Sequence, residues 1–547
     1  MVRNNAFLRG AFILAAAGAV SRLLGVFYLI PLPRIIHDEG MGLLQMVRPI
    51  YYFAFVVSVA GLPVAVSKLV AEKAALGDVG GIHSIFRLAL GIMILLGSLS
   101  TLALYGAARW LTENILQDPG AYGALVAIAP SVLLLALIAA FRGFFHGLQY
   151  MTPSAVAQVG EQIVRVVATL ALAYYCMPMG VEKGAAGASL GSVFGAAVGV
   201  LVFLAYYFPV RRRLLAVAPK RQFPRESNGV ILYKLVSLAW PVILGAVLLP
   251  LMQMIDAALV PSRLRLGGLS VEQVREWYGY LGMALNMMGI PAVVTVALAA
   301  SIVPAIAEGL ALGSRRIVRH RTQEAVRVTI LVGLPAAVGL YTLASEISYL
   351  LFGYPQVGIP LSILSLATLA QGLYQTTAGI LQGLGEVFIP VQHLLAGTLC
   401  KLITNYYLIS LPEMGIKGAA WGTSLGFSLA AILNLGAVQK LVGYRWEPGA
   451  MILKPSLAVG AMYGMVKLIY GFIYTLGLHY GSLWSLGSNL PFWANAAATM
   501  AAVIGGAATY FCTLLILGGI RPRDLELIPR YGPWLVSRLQ KWGLLNL

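Results

Sequence analysis

The sequence is short of charge. Only 11% of its 547 residues are Asp, Glu, Lys or Arg, against roughly 25% in soluble domains. A further 59% are apolar, and mean hydropathy is +0.83. A chain this long with so few charges cannot cover a water-facing surface, which excludes a cytosolic enzyme and a disordered chain. Cysteine is scarce as well. Cys176, Cys400 and Cys512 each sit in an apolar stretch without ligand-like spacing, so neither a disulfide scaffold nor a cysteine metal site is expected. The six histidines, His37, His83, His146, His320, His393 and His479, are scattered and form no H-E-x-x-H motif, so no metal centre is expected. No Gly-Lys dipeptide occurs, so there is no Walker A loop. No cofactor and no catalytic residues are expected.

What is present is a polytopic, all-α integral membrane pattern. A bilayer core needs about 20 helical residues per crossing. Windows of that length fall near 10–33, 43–67, 84–110, 121–148, 152–177, 184–209, 233–261, 277–311, 323–345, 357–384, 387–411, 416–440, 452–477 and 491–519. That is about 14 transmembrane helices. Arg3 and Arg9 before an apolar run resemble a signal peptide, but the run continues to about Pro31 and reads as a retained first span. The net charge of +18 points to cytoplasmic loops and anionic membrane lipids, not to nucleic acid. With both termini placed in the cytoplasm, 25 of the 38 Lys and Arg residues fall inside, 8 outside and 5 within spans. That bias fits a plasma-membrane protein with cytoplasmic termini.

The chain also repeats itself. KGAAGASLG begins at Lys183 and KGAAWGTSLG at Lys417, each opening a span. Gly147-Leu148 before Pro153 is matched by Gly383-Leu384 before Pro390, and the offsets are 234 to 237. A weaker pair is Gly61-Leu62-Pro63 with Gly289-Ile290-Pro291. Two parallel six-helix repeats follow: an N-terminal lobe over 1–210 and a C-terminal lobe over 233–441. A basic linker over 211–232 joins them, and two extra helices with a basic tail occupy 442–547. Transporters with such repeats bind substrate near the midplane. The repeated strings contain G-x-S-x-G, a nucleophile elbow in hydrolases. Inside apolar helices the same glycines read as G-x-x-x-G packing.

Charges at depth carry the functional signal, because each costs roughly 2.5–3.5 kcal/mol at a span centre. Arg22 lies about 20 Å into the first span, and Arg165, Lys401 and Lys467 reach similar depths. Glu161 precedes Arg165 by four and shares its helix face. Asp256 lies nearer the outer end of span seven. Arg48 and Arg142 are near enough to interfaces to snorkel, the reading taken for Arg142. The surplus at depth is positive and suits an anionic substrate, since arginine presents a planar fork to phosphate oxygens. Gln371, Gln375, Asn405 and Asn286 add neutral polarity, either for sugar or peptide or as interhelical glue.

The run Ser21-Arg22-Leu23-Leu24-Gly25-Val26-Phe27-Tyr28-Leu29-Ile30-Pro31, with Gly61-Leu62-Pro63-Val64-Ala65-Val66-Ser67-Lys68, resembles the sporulation-protein-B and MurJ-type branch of the multidrug/oligosaccharidyl-lipid/polysaccharide exporter superfamily. The resemblance implies a MATE- and MurJ-like fold. It further implies flipping of an undecaprenyl-pyrophosphate-linked cell-wall precursor, lipid II or a close relative, by a monomer. The family's first-span arginine maps onto Arg22 and a second onto Arg48. Tyr28 and Leu29 stand where some members carry an Arg-Asp pair, and Asn286 where another arginine is sought. Arg22, Arg48, Glu161, Arg165, Asp256, Asn286 and Lys401 are the candidate substrate-binding residues. Spans thirteen and fourteen are expected to seat the polyprenyl tail, with an ion gradient or the membrane potential as the drive. The rivals are export of another polysaccharide unit or of drugs, and a membrane-embedded transferase using His37, Asp38 and Glu39 on the first outer loop.

Overall fold

The computed structural model describes residues 2–216, 226–443, 449–481, 490–519 and Arg538. The centre of the basic linker and nearly all of the basic tail lie outside the described residues. Among the described residues every regular element is helical, and the chain forms two compact units, Met1–Gly279 and Tyr280–Leu547.

The first unit begins with α1 (Val2–Phe27), α2 (Leu32–Val59), α3 (Leu62–Leu76) and α4 (Val79–Trp110). It continues with α5 (Tyr122–Ile128), α6 (Pro130–Gly147), α7 (Thr152–Cys176), α8 (Val181–Ala216) and α9 (Asn228–Leu266). Helix α10 (Val271–Ala311) carries the chain onward. Then come α11 (Arg315–Thr342), α12 (Ala344–Phe352), α13 (Gly358–Gly383), α14 (Phe388–Leu408), α15 (Ile416–Val442), α16 (Lys454–Gly481) and α17 (Leu490–Ile516).

The fourteen apolar windows each coincide with a separate long helix or helix pair. Among the described residues eleven helical stretches are long and apolar enough to cross a membrane, three fewer than expected, and α1, α9 and α14 are not among them. In α14 the cause is composition: Gln392, His393, Lys401 and Asn405 dilute its apolar run. Two windows are broken by local chemistry. Pro130 opens α6 at its first position, where proline's missing N–H costs nothing. Gly61 separates α2 from α3 with φ +80, and Pro63 starts the next helix. Gly61 faces the backbone of Ala239 on α9, whose Cα lies 3.0 Å from where a Cβ would stand. Only glycine satisfies both conditions.

The expected outer loop at His37–Glu39 is shorter than its polarity suggests: the chain breaks at His37, whose φ of 58 and ψ of -178 are not helical, between two helical stretches of α2. Leu32-Pro33 starts that helix earlier than the apolar run does.

Small residues set the tightest helix contacts. In the first copy of the repeated string, α8 packs on α7 through Gly187 and Gly191, whose added Cβ atoms would come within 2.6 Å of the Leu172 carbonyl and 2.5 Å of the Thr169 backbone. In the second, α15 packs on α14 through Gly426, whose added Cβ would stand 2.7 Å from the Gly397 carbonyl oxygen and 3.1 Å from Lys401 Cβ. The G-x-S-x-G strings are therefore packing surfaces. They differ in register: Lys401 meets the glycine equivalent to the one that faces Thr169. Arg165 lies one turn further, against Gly195.

The apolar core of the first unit gathers Phe86, Phe141, Phe144, Phe145 and Phe203 with Val66, Ile85 and α9's Leu235. In the second unit Ile306, Val326, Ile380 and Val438 form one core. Met462, Val466, Ala502 and Leu514 join α16 to α17 in another. Arg327, buried within α11, donates to the Gly519 carbonyl at 2.6 Å and so fixes the end of α17.

Candidate functional site

A cavity of about 590 Å³ opens within the first unit, lined by α2, α3, α6, α7 and α8. That is a volume suited to a small-molecule or headgroup ligand. Each wall is one helix face. Helix α2 supplies Arg48, Tyr51, Tyr52 and Phe55, and α6 supplies Leu135, Ile138, Ala139 and Arg142. Both sets have the i, i+3, i+4, i+7 spacing that aligns side chains in a stripe. Helix α7 adds Glu161, Arg165 and Thr169 at four-residue steps, and α8 adds Ser189 and Ser192. The break at Ala60-Gly61 closes part of the wall.

The charges there are uneven. Three guanidinium groups, Arg48, Arg142 and Arg165, share the cavity with one carboxylate, Glu161, leaving a surplus of two positive charges. Arg165 donates from a guanidinium nitrogen to Glu161 Oε1 as an i,i+4 ion pair. Gly195 on α8 makes room for this pair, since a Cβ there would stand 2.8 Å from both Arg165 Cβ and the Glu161 carbonyl. Arg142 is within electrostatic reach of Glu161 as well. The Tyr51 side chain lies near Ser131, Arg48 and Arg165, and the Ser131 hydroxyl donates to the Ile128 carbonyl at 2.6 Å. Two polar atoms of the lining are buried without a hydrogen-bond partner among the described residues: Arg165 Nε and Ser189 Oγ. In the second copy the equivalent Ser424 donates to the Ile363 carbonyl at 3.0 Å. Unpaired buried polar groups are costly, so their position here marks where a polar ligand would be received. Surplus arginines with hydroxyl donors can hold an oxyanion.

The sequence of this membrane-spanning bundle matches the polysaccharide biosynthesis protein pattern over residues 7–310, more than half its length. The chain belongs to the polysaccharide biosynthesis protein family. It is 29% identical over 97% of its length to stage V sporulation protein B of Bacillus subtilis, covering 99% of that protein. It is 24% identical to the lipid II flippase MurJ of the same organism, over 93% of this chain and 95% of that one. The solved lipid II flippase MurJ in an inward closed conformation superposes with a TM-score of 0.64 at 17% identity, covering 94% of this chain and 99% of that structure. The resemblance read from the first two spans therefore runs through almost the whole sequence. This member of the family is a multi-pass, all-helical membrane protein with the MurJ-type fold.

The cavity brings together three of the candidate residues, Arg48, Glu161 and Arg165. Arg22 is exposed on α1 and is not part of the lining. Its helix packs on α7, where Ser21 donates to the Gln158 carbonyl and Gly25 faces Gln162. Asp256 lies on α9 close to the buried Tyr278. Asn286 and Lys401 belong to the second unit, on α10 and α14. Arg142 was not among the candidates. Its snorkelling reading is corrected, because α6 turns it into the cavity beside Glu161. Its spacing to Leu135, Ile138 and Ala139 was the available signal.

Proposed function

We propose that the protein is a flippase that carries an undecaprenyl-pyrophosphate-linked cell-wall precursor, lipid II or a close relative, across the plasma membrane. The observation that carries this reading is the surplus of guanidinium groups in a cavity walled by membrane helices. Arg48, Arg142 and Arg165 bind the pyrophosphate, Glu161 orients Arg165, and Arg22 on the neighbouring helix extends the cationic path. Tyr51, Ser189 and Ser192 meet polar parts of the head group. The halves 1–210 and 233–441 expose the cavity to one membrane face and then the other, with 211–232 as their link and both termini cytoplasmic. The exposed apolar side chains of α16 and α17, among them Leu457, Met500 and Ile504, offer the polyprenyl tail a path through lipid. Kinship with the lipid II flippase MurJ supports transport in place of catalysis.

Native mass spectrometry with lipid II, a neutral polyprenol and a cationic drug tests this, with wild type beside Arg22→Ala. Selective retention of lipid II, weakened in Arg22→Ala, is expected. Preference for the drug would overturn the anionic-substrate reading and favour a drug exporter. The transferase alternative loses its best cluster if His37→Ala and Asp38→Ala together leave function intact.

A further inference from the structure

A second hollow lies in the other unit, where no substrate role has been assigned. It has a volume of about 430 Å³ and is lined by the first turns of three helices together with the middle of α16. Ala344, Ser345 and Glu346 open α12, Gly358 and Ile359 open α13, and Lys417 stands in the first turn of α15. Opposite them α16 contributes Tyr463 and Lys467. Helix α13 approaches α12 closely, since a Cβ on Gly358 would stand within 2.6 Å of Ser345 backbone atoms. None of the three helices has a side-chain cap. Several of their leading N–H groups are engaged in local turns, Gly358 with Pro355 and Gln356, Lys417 with Met414 and Gly418 with Gly415, so the character of the hollow rests on its side chains.

Two lysines set its charge. Neither Lys417 nor Lys467 has a carboxylate within ion-pair distance among the described residues, and Glu346 is the single acid in the lining. Lys467 is the more telling. It lies thirteen residues beyond Lys454, the first residue of α16, roughly 20 Å along the helix axis. At that depth an ammonium group requires a counter-charge or a polar cavity. The residues that follow it outward are apolar and exposed, with Leu468 at 70% and Phe472 at 67%. An anionic head in the hollow would thus have an apolar surface beside it for acyl chains.

We propose that this hollow binds the phosphoryl head of an anionic membrane lipid. Lys417 and Lys467 supply the charge, Ser345 a hydroxyl donor, and Leu468 and Phe472 the acyl contact. The site is separate from the cavity of the first unit and does not depend on what that cavity carries.

The test uses the purified full-length protein, with native mass spectrometry and thermal melting in three additions: phosphatidylglycerol, phosphatidylcholine of the same chains, and inorganic phosphate. Wild type is expected to retain phosphatidylglycerol at least tenfold over phosphatidylcholine and to melt higher with it. Lys417→Gln/Lys467→Gln is expected to lose that preference while keeping its retention of lipid II. Equal retention of the two lipids, or a preference unchanged in the double variant, would overturn the site. Stabilisation by inorganic phosphate equal to that by phosphatidylglycerol would overturn the lipid as its source. If the double variant fails to melt cooperatively, Lys467→Gln alone carries the same comparison.

Discussion

Substituting the two cavity arginines nearest Glu161 should separate binding from folding. Arg165 is engaged in an ion pair whose partner, Glu161, has a side chain only 10% exposed, while Arg165 itself is 31% exposed. Breaking a fully buried pair costs about 3–5 kcal/mol. Partial exposure of Arg165, with Arg142 still in reach of the carboxylate, reduces this to about 1–2 kcal/mol for Arg165→Gln. Arg142 makes no such pair, so Arg142→Gln should leave the melting curve nearly unchanged. On the ligand side, a hydrogen bond from a guanidinium to phosphate contributes about 1.5–3 kcal/mol. Each arginine substitution should therefore weaken lipid II about ten- to hundredfold, at about 1.4 kcal/mol per decade. Glu161→Gln/Arg165→Gln should regain the stability lost by Arg165→Gln but not the affinity. Thermal unfolding and lipid II titration by native mass spectrometry, run on the same preparations, read the two effects. An Arg142→Gln protein that melts normally and binds lipid II within twofold of wild type would refute the role given to this cavity.

Three other outcomes follow from the packing and the ion pairs. Gly191→Val should destabilise by about 1–3 kcal/mol or more, because Thr169 backbone atoms occupy the space its Cβ requires. Gly91→Ala, with nothing within 4 Å, should melt like wild type, and equal melting of both variants would contradict the α7–α8 contact. Asp118 accepts two hydrogen bonds from Arg275, at 2.7 and 2.6 Å, with its side chain 1% exposed. Asp118→Asn should therefore cost about 3–5 kcal/mol, whereas Glu182→Gln, whose carboxylate is 56% exposed, should cost under about 1 kcal/mol; chemical denaturation ranks the two. Glu226 joins Lys73 and Lys234, each at 2.7 Å, and hydrogen bonds from Lys234 and Lys73 hold its carboxyl below the ordinary value of 4.5. Its contribution is complete above that value and disappears as pH falls through the lowered one. Wild type should lose its advantage over Glu226→Gln as pH is lowered from neutral through that depressed value, and a difference that stays constant throughout the acid titration would show that the lysines do not hold the charge.

Helix positions were legible because apolar windows of membrane length leave few alternatives, and the repeat was legible because close packing demands glycine at fixed offsets. The facing of individual side chains was not. Arg142 stands five residues from the end of α6, near enough to reach an interface. Only the placement of α2, α7 and α8 around it decides that it turns inward. His37–Glu39 read as a loop because they are polar, and the chain does break at His37, but Leu32-Pro33 begins a helical stretch just before it and another resumes just after. Lys401 occupies nearly the same place in the repeat as Arg165, but a one-turn change of register against α15 gives it different neighbours. Pairwise spacing along a sequence does not contain that shift.

The carboxylate among the arginines has a kinetic consequence. On the flippase reading, an arriving pyrophosphate does not enter a vacant socket; it takes Arg165 away from Glu161, which stays within reach throughout. Capture is then an exchange of one counter-ion for another, and its driving force is the difference between two similar attractions. Release runs the same exchange in reverse, with an internal competitor already in place. A receptor made only of arginines would hold its ligand for long dwell times. A carrier has to discharge on the far side, and Glu161 gives this one a means of letting go.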